Sequence, residues 1–422
     1  MIRLTQYLQS GVKPALGCTE PGAIAFAVSR ACKDLPEDEI LESIEVKTSI
    51  NIYKNGMYVV IPGTNGARGN KIAAALGAIC GDPSLKLRAL KSCNDSHIEK
   101  AKRMIASGKV KLSCLRDKPG VYIDVTVKTR NHAARCVIDG DHTAISLVAR
   151  DGVIVFKGSQ REREEPVFFE GEKFPIDEII ETVERIDAKD VDFIFEGVKM
   201  NLEIATYAMN EGISLCKPVK ENNNSEEELA IRIKRFCAAA SFARMAGVPL
   251  PVMSSGGSGN QGIVTILPVA ITGKSYGKTR EEIAKAIALS HLVLGYIKSR
   301  LGKVTPTCGA ANAAGPAAAA GIVYMLNGST EQISQAMSTV FSSTLGMICD
   351  GAKEACAYKV GFSGEVAYNS AMLALDKSCV AGPQGVVGKT IEETIENIRE
   401  ISTRTALELE NTIIDILEKY NK

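Results

Sequence analysis

The chain has 422 residues, 45% of them hydrophobic and 23% charged, which is enough material for a large core and two domains. Fifty basic residues against 49 acidic ones leave a formal charge of +1, which excludes the basic field that a nucleic acid or an anionic membrane surface would require. Aromatic residues are few, Trp is absent, and small residues abound, so the core is expected to be built from closely approaching helices.

In chain order, the opening Met1-Ile2-Arg3-Leu4 lacks the charged and apolar regions of a signal peptide, so a cytoplasmic location is expected. Gly17-Cys18-Thr19-Glu20-Pro21 forms a turn before a helical segment at 23–33, with Thr19 as its cap and Pro21 in the first turn. Segments 50–53 and 57–62 flank Asn55-Gly56 and predict a hairpin. Helices are predicted at 69–80 and 97–107. Strands follow at 109–115, 121–129, 133–138, 144–149 and 153–157, separated by Pro119-Gly120, Asp139-Gly140 and Asp151-Gly152, which reads as an antiparallel meander. The charged stretch 161–172 reads as an exposed link.

From about residue 195 the pattern turns helical, with segments at 225–246, 279–300, 330–345 and 390–418. Thr390 and Glu393 have the spacing of a capping box, and a loop rich in Pro, Gly and Ser interrupts this half at 249–262. The apolar stretch 308–326 carries Asn312 and Pro316 and is too weakly hydrophobic to span a membrane. The fold class is α+β: an α+β domain with an antiparallel meander over 1–195, then a mainly helical domain over 196–422.

Twelve cysteines in a chain expected to stay reduced are available for metal binding or chemistry. Three lie among small residues in the last third: Cys308, Cys349 and Cys356. Thiolates at such positions suit an iron–sulfur cluster, since soft sulfur donors match iron. On an unbroken helix the seven residues from Cys349 to Cys356 would rise roughly 10.5 Å, so a loop is expected between them at Asp350-Gly351. The spacing matches no short ferredoxin-type run, and three inert buried thiols would look the same.

Two glycine-rich loops are candidates for ligand binding. In the 254–262 loop, Ser255, Gly256, Ser258 and Asn260 offer donors and close backbone approach to a carboxylate, with a plain connector as the alternative. In the 63–70 loop, Arg68 could clamp a substrate carboxylate or serve as an ordinary surface cation. Cys18, at the mouth of a helix, is placed where the helix N-terminus could lower its pKa. His97, His132, His142 and His291 are scattered and receive no chemistry, and the eight remaining cysteines, Cys80, Cys93 and Cys216 among them, read as core or surface thiols.

Together these motifs resemble the L-cysteine desulfidase family, a group of serine-dehydratase-like proteins, over nearly the whole chain. The resemblance rests on the 14–21 segment Pro-Ala-Leu-Gly-Cys-Thr-Glu-Pro, the Ser-Ser-Gly-Gly-Ser-Gly-Asn-Gln-Gly loop, Cys308-Gly309-Ala310, and Cys349-Asp350-Gly351-Ala352-Lys353 with Cys356. It implies a [4Fe-4S] cluster on Cys308, Cys349 and Cys356 with one iron left open for substrate. A more distant similarity is to the iron–sulfur L-serine dehydratases, which share the helical domain but carry Ser-His-Thr where this chain has Gly17-Cys18-Thr19. That difference points to Cys18 as the base.

The expected activity is therefore a carbon–sulfur lyase converting L-cysteine to sulfide and aminoacrylate. An L-serine dehydratase and a non-catalytic iron–sulfur or amino-acid sensor are the alternatives. The expected partner is a small amino acid, with neither nucleic acid nor membrane, and a homo-oligomer is compatible with the sequence.

Overall fold

The computed structural model describes residues 3–36, 38–118, 120–158, 168–169, 173–213, 228–302, 306–379 and 382–420. The chain opens with α1 (Leu4–Gly11) and β1 (Val12–Ala15), then α2 (Thr19–Cys32), β2 (Leu41–Ser49), α3 (Ile50–Gly56), α4 (Asn70–Cys80) and α5 (Asp95–Ala106). Strands β3 (Val110–Leu115), β4 (Tyr122–Thr129), β5 (Ala133–Asp139), β6 (Ile145–Arg150) and β7 (Val153–Lys157) follow. The helical half contains α6 (Ile176–Glu184), α7 (Ala188–Asn210), α8 (Leu229–Met245), β8 (Val252–Ser255), α9 (Gly259–Ser275) and α10 (Arg280–Leu301). It is completed by α11 (Gly315–Met325), α12 (Thr330–Thr344), α13 (Cys356–Leu375) and α14 (Ile391–Lys419). The molecule is α+β, as the sequence pattern indicates.

Among the described residues one six-stranded sheet runs in the order β3-β2-β4-β5-β6-β7. The meander from β4 to β7 is antiparallel throughout; the β5–β6 and β6–β7 turns fall at Asp139-Gly140 and Asp151-Gly152, as predicted, while β4 turns into β5 through Arg130-Asn131-His132 without a glycine. The other edge differs from expectation. β2 has no predicted counterpart, and β3 pairs with it in parallel, Ile44 opposite Val110 through Ser49 opposite Leu115. Ile44, Val46, Ile123, Val125, Val127, Cys136, Ile138 and Val148 are buried from this sheet against the apolar faces of α2 and α4.

The predicted hairpin around Asn55-Gly56 is absent; those residues close α3 instead. The cause lies outside the segment. The Asn70 amide donates to the carbonyls of Ile52 and Tyr53 at 3.0 and 3.1 Å, and a Cβ on Gly56 would fall 1.7 Å from Asn70 Oδ1. A long-range polar clamp thus overrides a local turn signal. The loop predicted at 249–262 is also partly regular. Val252–Ser255 pairs with Val12–Ala15 as a two-stranded ribbon, and Gly259 opens α9.

The helical body is centred on α9 and α11, which are buried almost throughout. Ala317, Ala318, Ala319 and Ala320 are fully enclosed, and a Cβ on Gly321 would come within 2.7 Å of the Ala286 carbonyl, so α10 and α11 approach as closely as small residues allow. Leu4, Tyr7, Leu8 and Val12 join this core rather than the sheet's. Thr279 with Glu282 and Ser329 with Gln332 form reciprocal capping boxes. At α14 only half of the predicted box forms: Thr390 accepts from Glu393, while Glu393 turns back to the Lys389 amide.

The predicted 161–172 link lies outside the described residues except for Phe168 and Phe169. These two are not exposed linker; they pack edge-on to Tyr7 with ring centroids at 5.0 and 6.2 Å. Cys216 and the first residues of the helix predicted at 225–246 also lie outside the described residues. No helix among the described residues is long and apolar enough to cross a membrane.

Candidate functional site

Three separate segments bring Cys308, Cys349 and Cys356 into electrostatic reach of one another. A short antiparallel bridge joins Thr307 to Ile348. The Cys308 amide donates to Met347 at 2.7 Å and the Cys349 amide to Pro306 at 2.8 Å, fixing two of the cysteines side by side. Cys356 opens α13, and the chain between it and Cys349 is non-helical, as Asp350-Gly351 predicts. Gly351 stands at φ 97°, and a Cβ there would lie 2.3 Å from the Lys54 carbonyl, so this turn requires glycine. Directly after Cys308, residues Ala310–Ala314 form one π-helical turn, a distortion that recurs at functional sites.

None of the three cysteines is in a disulfide and each keeps some exposure. Burial, together with Cys349, pushes the Cys308 thiol up to about 11; burial also raises Cys356. Lys353 and Lys359 both approach Asp350, at 2.6 Å each. Burial works to raise the Asp350 carboxyl, but the two lysines outweigh it and hold it below the usual range. The charge of Lys359 also acts on Cys308 and Cys356. A set of three free, partly accessible thiols beside two ammonium groups fits an anionic iron–sulfur cluster.

Cys18 lies within electrostatic reach of Cys356. It occupies the N-cap of α2, a position predicted for Thr19, and makes no side-chain cap there. Its thiol instead donates to Glu20 Oε2 at 2.9 Å, while Asn55 donates to the other oxygen of Glu20 at 3.0 Å. Burial raises the Cys18 pKa well above its ordinary value, and the Glu20 charge adds to this; Arg244 pulls it down, and Cys356 contributes a small rise. The expected depression by the helix terminus is outweighed, and the resting group is a thiol. Thr19, freed from capping, lies 3.2 Å from His142 Nε2, so the loop between β5 and β6 also reaches this corner.

The glycine-rich loop folds against the same place. Asn260 Oδ1 accepts from Arg244 and from Ser241, each at 3.2 Å, and a Cβ on Gly259 would fall 2.4 Å from Arg244 Nε. Ser258 caps α9. Gly256 has φ 55° and its carbonyl accepts from Lys298. Ser255 is fully buried, its hydroxyl 2.8 Å from His291 Nδ1, and burial lowers the His291 pKa to about 3. Gln261 reaches the other side: a Cβ on Gly309, next to Cys308, would lie 2.3 Å from Gln261 Nε2. Arg68 is exposed and makes two bonds to Glu354, at 2.7 and 3.0 Å, two residues before Cys356.

Arg244 is the site residue that sequence reasoning missed. It is 7% exposed, its charge acts on Cys18, and its Nε is enclosed without a hydrogen-bond partner. In the linear sequence it is one more arginine on a helix, and no spacing marks it. The reading of the histidines also changes: His142 reaches Thr19, and His97 groups with Cys80 and Cys93. A cleft of about 360 Å³, lined by Met57, Arg68, Lys71, Lys102 and Leu112 among others, contains none of these cysteines.

The helical body thus presents three grouped cysteines, with a fourth thiol at the N-cap position of α2. Residues 84–415 match the family described as serine dehydratase alpha chain, and the chain belongs to that family. This membership points to a lyase of the serine-dehydratase type. At full length the chain is similar to a UPF0597 protein of Caldanaerobacter subterraneus, 40% identical over 99% of both chains. It is also similar to UPF0597 proteins of Clostridium tetani, 38% identical over 98% of this chain and 97% of that one, and of Desulfatibacillum aliphaticivorans, 35% identical over 96% and 95%.

Proposed function

We propose that this protein is a carbon–sulfur lyase that eliminates sulfide from L-cysteine. The observation that supports the reading is that Cys18, bonded to Glu20, lies within electrostatic reach of both Arg244 and Cys356, and Cys356 within reach of Cys308 and Cys349. When bound to those three thiolates, a [4Fe-4S] cluster supplies an open iron that acts as Lewis acid toward the departing sulfur.

The chain's own residues supply the rest. Arg244, whose charge already acts on Cys18, is the cation for the substrate carboxylate, with Asn260 holding the guanidinium in place. Glu20 accepts the thiol proton of Cys18 along the 2.9 Å hydrogen bond, and the resulting thiolate removes the α-proton. The Cα–H and Cβ–S bonds break, a Cα=Cβ bond forms, and sulfide and aminoacrylate leave. Aminoacrylate then tautomerises and hydrolyses to pyruvate and ammonia. No net redox change occurs. Gly256 and Ser258 shape the backbone beside this position, and Ser255 and Arg68 act from behind it, through His291 and Glu354.

The family description favours a second reading, elimination of water from L-serine, in which the same residues act on a carbon–oxygen bond. Products separate the two. Sulfide from L-cysteine at a kcat/KM well above that for pyruvate from L-serine supports the first; the reverse ratio supports the second.

A further inference from the structure

We propose that Cys80, Cys93 and His97 form a separate binding site for a divalent cation of the zinc class in the N-terminal part of the molecule. One ligand atom from each residue lies within 4.8 Å of the other two. Tetrahedral zinc with sulfur at about 2.3 Å and nitrogen at about 2.0 Å needs ligand separations of roughly 3.7 Å, so side-chain rotation alone closes the set.

The second observation is the imidazole. His97 Nδ1 is enclosed and has no hydrogen-bond partner, a state that buried nitrogen rarely keeps. The two sulfurs are free thiols that share a hydrogen bond with each other, and their other contacts are weak, Cys80 to Leu76 O at 3.4 Å and Cys93 to Asn94 O at 3.9 Å. Coordination to a cation would occupy the sulfurs, and fixing one ring nitrogen would set the tautomer of the other.

The backbone holds the three residues in fixed relation. Cys80 ends α4, and Cys93 ends the turn before α5. Asn94 caps α5 by accepting from the His97 amide at 3.1 Å. Ser92 Oγ donates to the Cys80 carbonyl at 3.3 Å, and the Asp82 amide to Ala89 at 2.9 Å, tying the intervening loop to both helices. Two thiolates and a neutral imidazole balance a divalent charge without a counter-ion. Soft sulfur with imidazole selects zinc or cobalt over magnesium or calcium. Three protein ligands leave a fourth position for water or a small exogenous ligand. A cation here pins α4, whose other end carries Asn70 and the Arg68 loop, to α5.

Anaerobic titration of the full-length protein with Co²⁺ tests this directly, since cobalt bound by thiolates gives charge-transfer and tetrahedral ligand-field absorption. The expected result is one equivalent bound with both bands. Cys93→Ser should lose about half the charge-transfer intensity and His97→Gln should lose the tetrahedral bands, each binding at least tenfold more weakly. Cys308→Ser should keep the full signal, which separates this site from the other cysteine set. Zn²⁺ should raise the unfolding midpoint of the wild type and leave both site variants unmoved. Equal cobalt uptake and spectra in wild type, Cys93→Ser and His97→Gln would overturn the proposal. So would a Cys80–Cys93 disulfide, found by mass spectrometry in anaerobically isolated protein that takes up no metal.

Discussion

At the residue scale, Cys18 and Arg244 divide the work of the site. Cys18 is held as a thiol whose proton already points at Glu20, so neither residue is sufficient alone. Cys18→Ser should retain bound iron and lose turnover by at least a hundredfold, because a hydroxyl is a far weaker acid than a thiol. Glu20→Gln should lower kcat with little change in KM, since the amide cannot take the thiol proton. Arg244→Gln should act mainly on KM. Losing one charge-assisted hydrogen bond costs about 1.5–3 kcal/mol, or roughly ten- to a hundredfold in kcat/KM. Steady-state kinetics on L-cysteine checks all three, and an Arg244→Gln enzyme with wild-type kinetics would remove that residue from the substrate.

His291 carries a separate expectation at the same scale. Buried against Ser255, its folded pKa is about 3 against the usual 6.5, so the unfolded chain binds a proton that the native state refuses. Its contribution therefore destabilises the fold progressively as pH falls from about 6.5 toward about 3, and is absent above that window. Thermal midpoints measured across this range should fall on acidification, and His291→Gln should fall less.

At the scale of elements, the turn after Cys349 matters most. Gly351→Ala forces a Cβ into the Lys54 carbonyl and a side chain onto positive φ, which costs about 1–3 kcal/mol from the backbone alone. The variant should fold, as circular dichroism would show, yet retain less iron than wild type. Wild-type iron retention would mean that this turn tolerates displacement without disturbing Cys349 and Cys356.

The elements also show which parts of the fold were legible. Helices whose ends carry Thr279 with Glu282 or Ser329 with Gln332 begin where their side chains cap them, because capping is local. The turns at Asp139-Gly140 and Asp151-Gly152 separate β5, β6 and β7 for the same reason. β3, in contrast, pairs in parallel with β2 some 60 residues earlier, and β1 finds β8 across about 240 residues; no local pattern encodes either pairing. The end of α3 at Asn55-Gly56 is set by Asn70, a residue from a different helix. Within the site, the cysteines could be named from the sequence because thiols are rare and chemically distinct. Arg244 emerges only when distant segments meet, whereas Cys80, Cys93 and His97 are near one another in the chain and are grouped by the turn between α4 and α5.

At the scale of the whole molecule, α14 fastens the N-terminal part to the cysteine loop. Lys54 of α3 is 1% exposed; it pairs with Glu410 at 2.5 Å and donates to the Cys349 carbonyl at 3.1 Å. Ile50 and Tyr53 pack beside it on Ile413, Ile414 and Leu417. Glu410 Oε2 has no other partner, so Lys54→Met would strand a buried carboxylate at a cost of about 3–5 kcal/mol. Adding Glu410→Leu should restore most of that loss, as a denaturant double-mutant cycle would measure. Iron affinity should stay reduced in the double variant, because the bond to the Cys349 carbonyl is still missing.

What the Cys308, Cys349 and Cys356 set binds, and what that assembly does, decides the function of the molecule. Protein purified without oxygen should be assayed for iron and acid-labile sulfide, then for sulfide release from L-cysteine and pyruvate release from L-serine. About four irons per chain, lost on replacing any of the three cysteines by Ser, with sulfide released from L-cysteine, is the predicted result. Anaerobic protein without iron, or with iron that survives all three replacements, would contradict it.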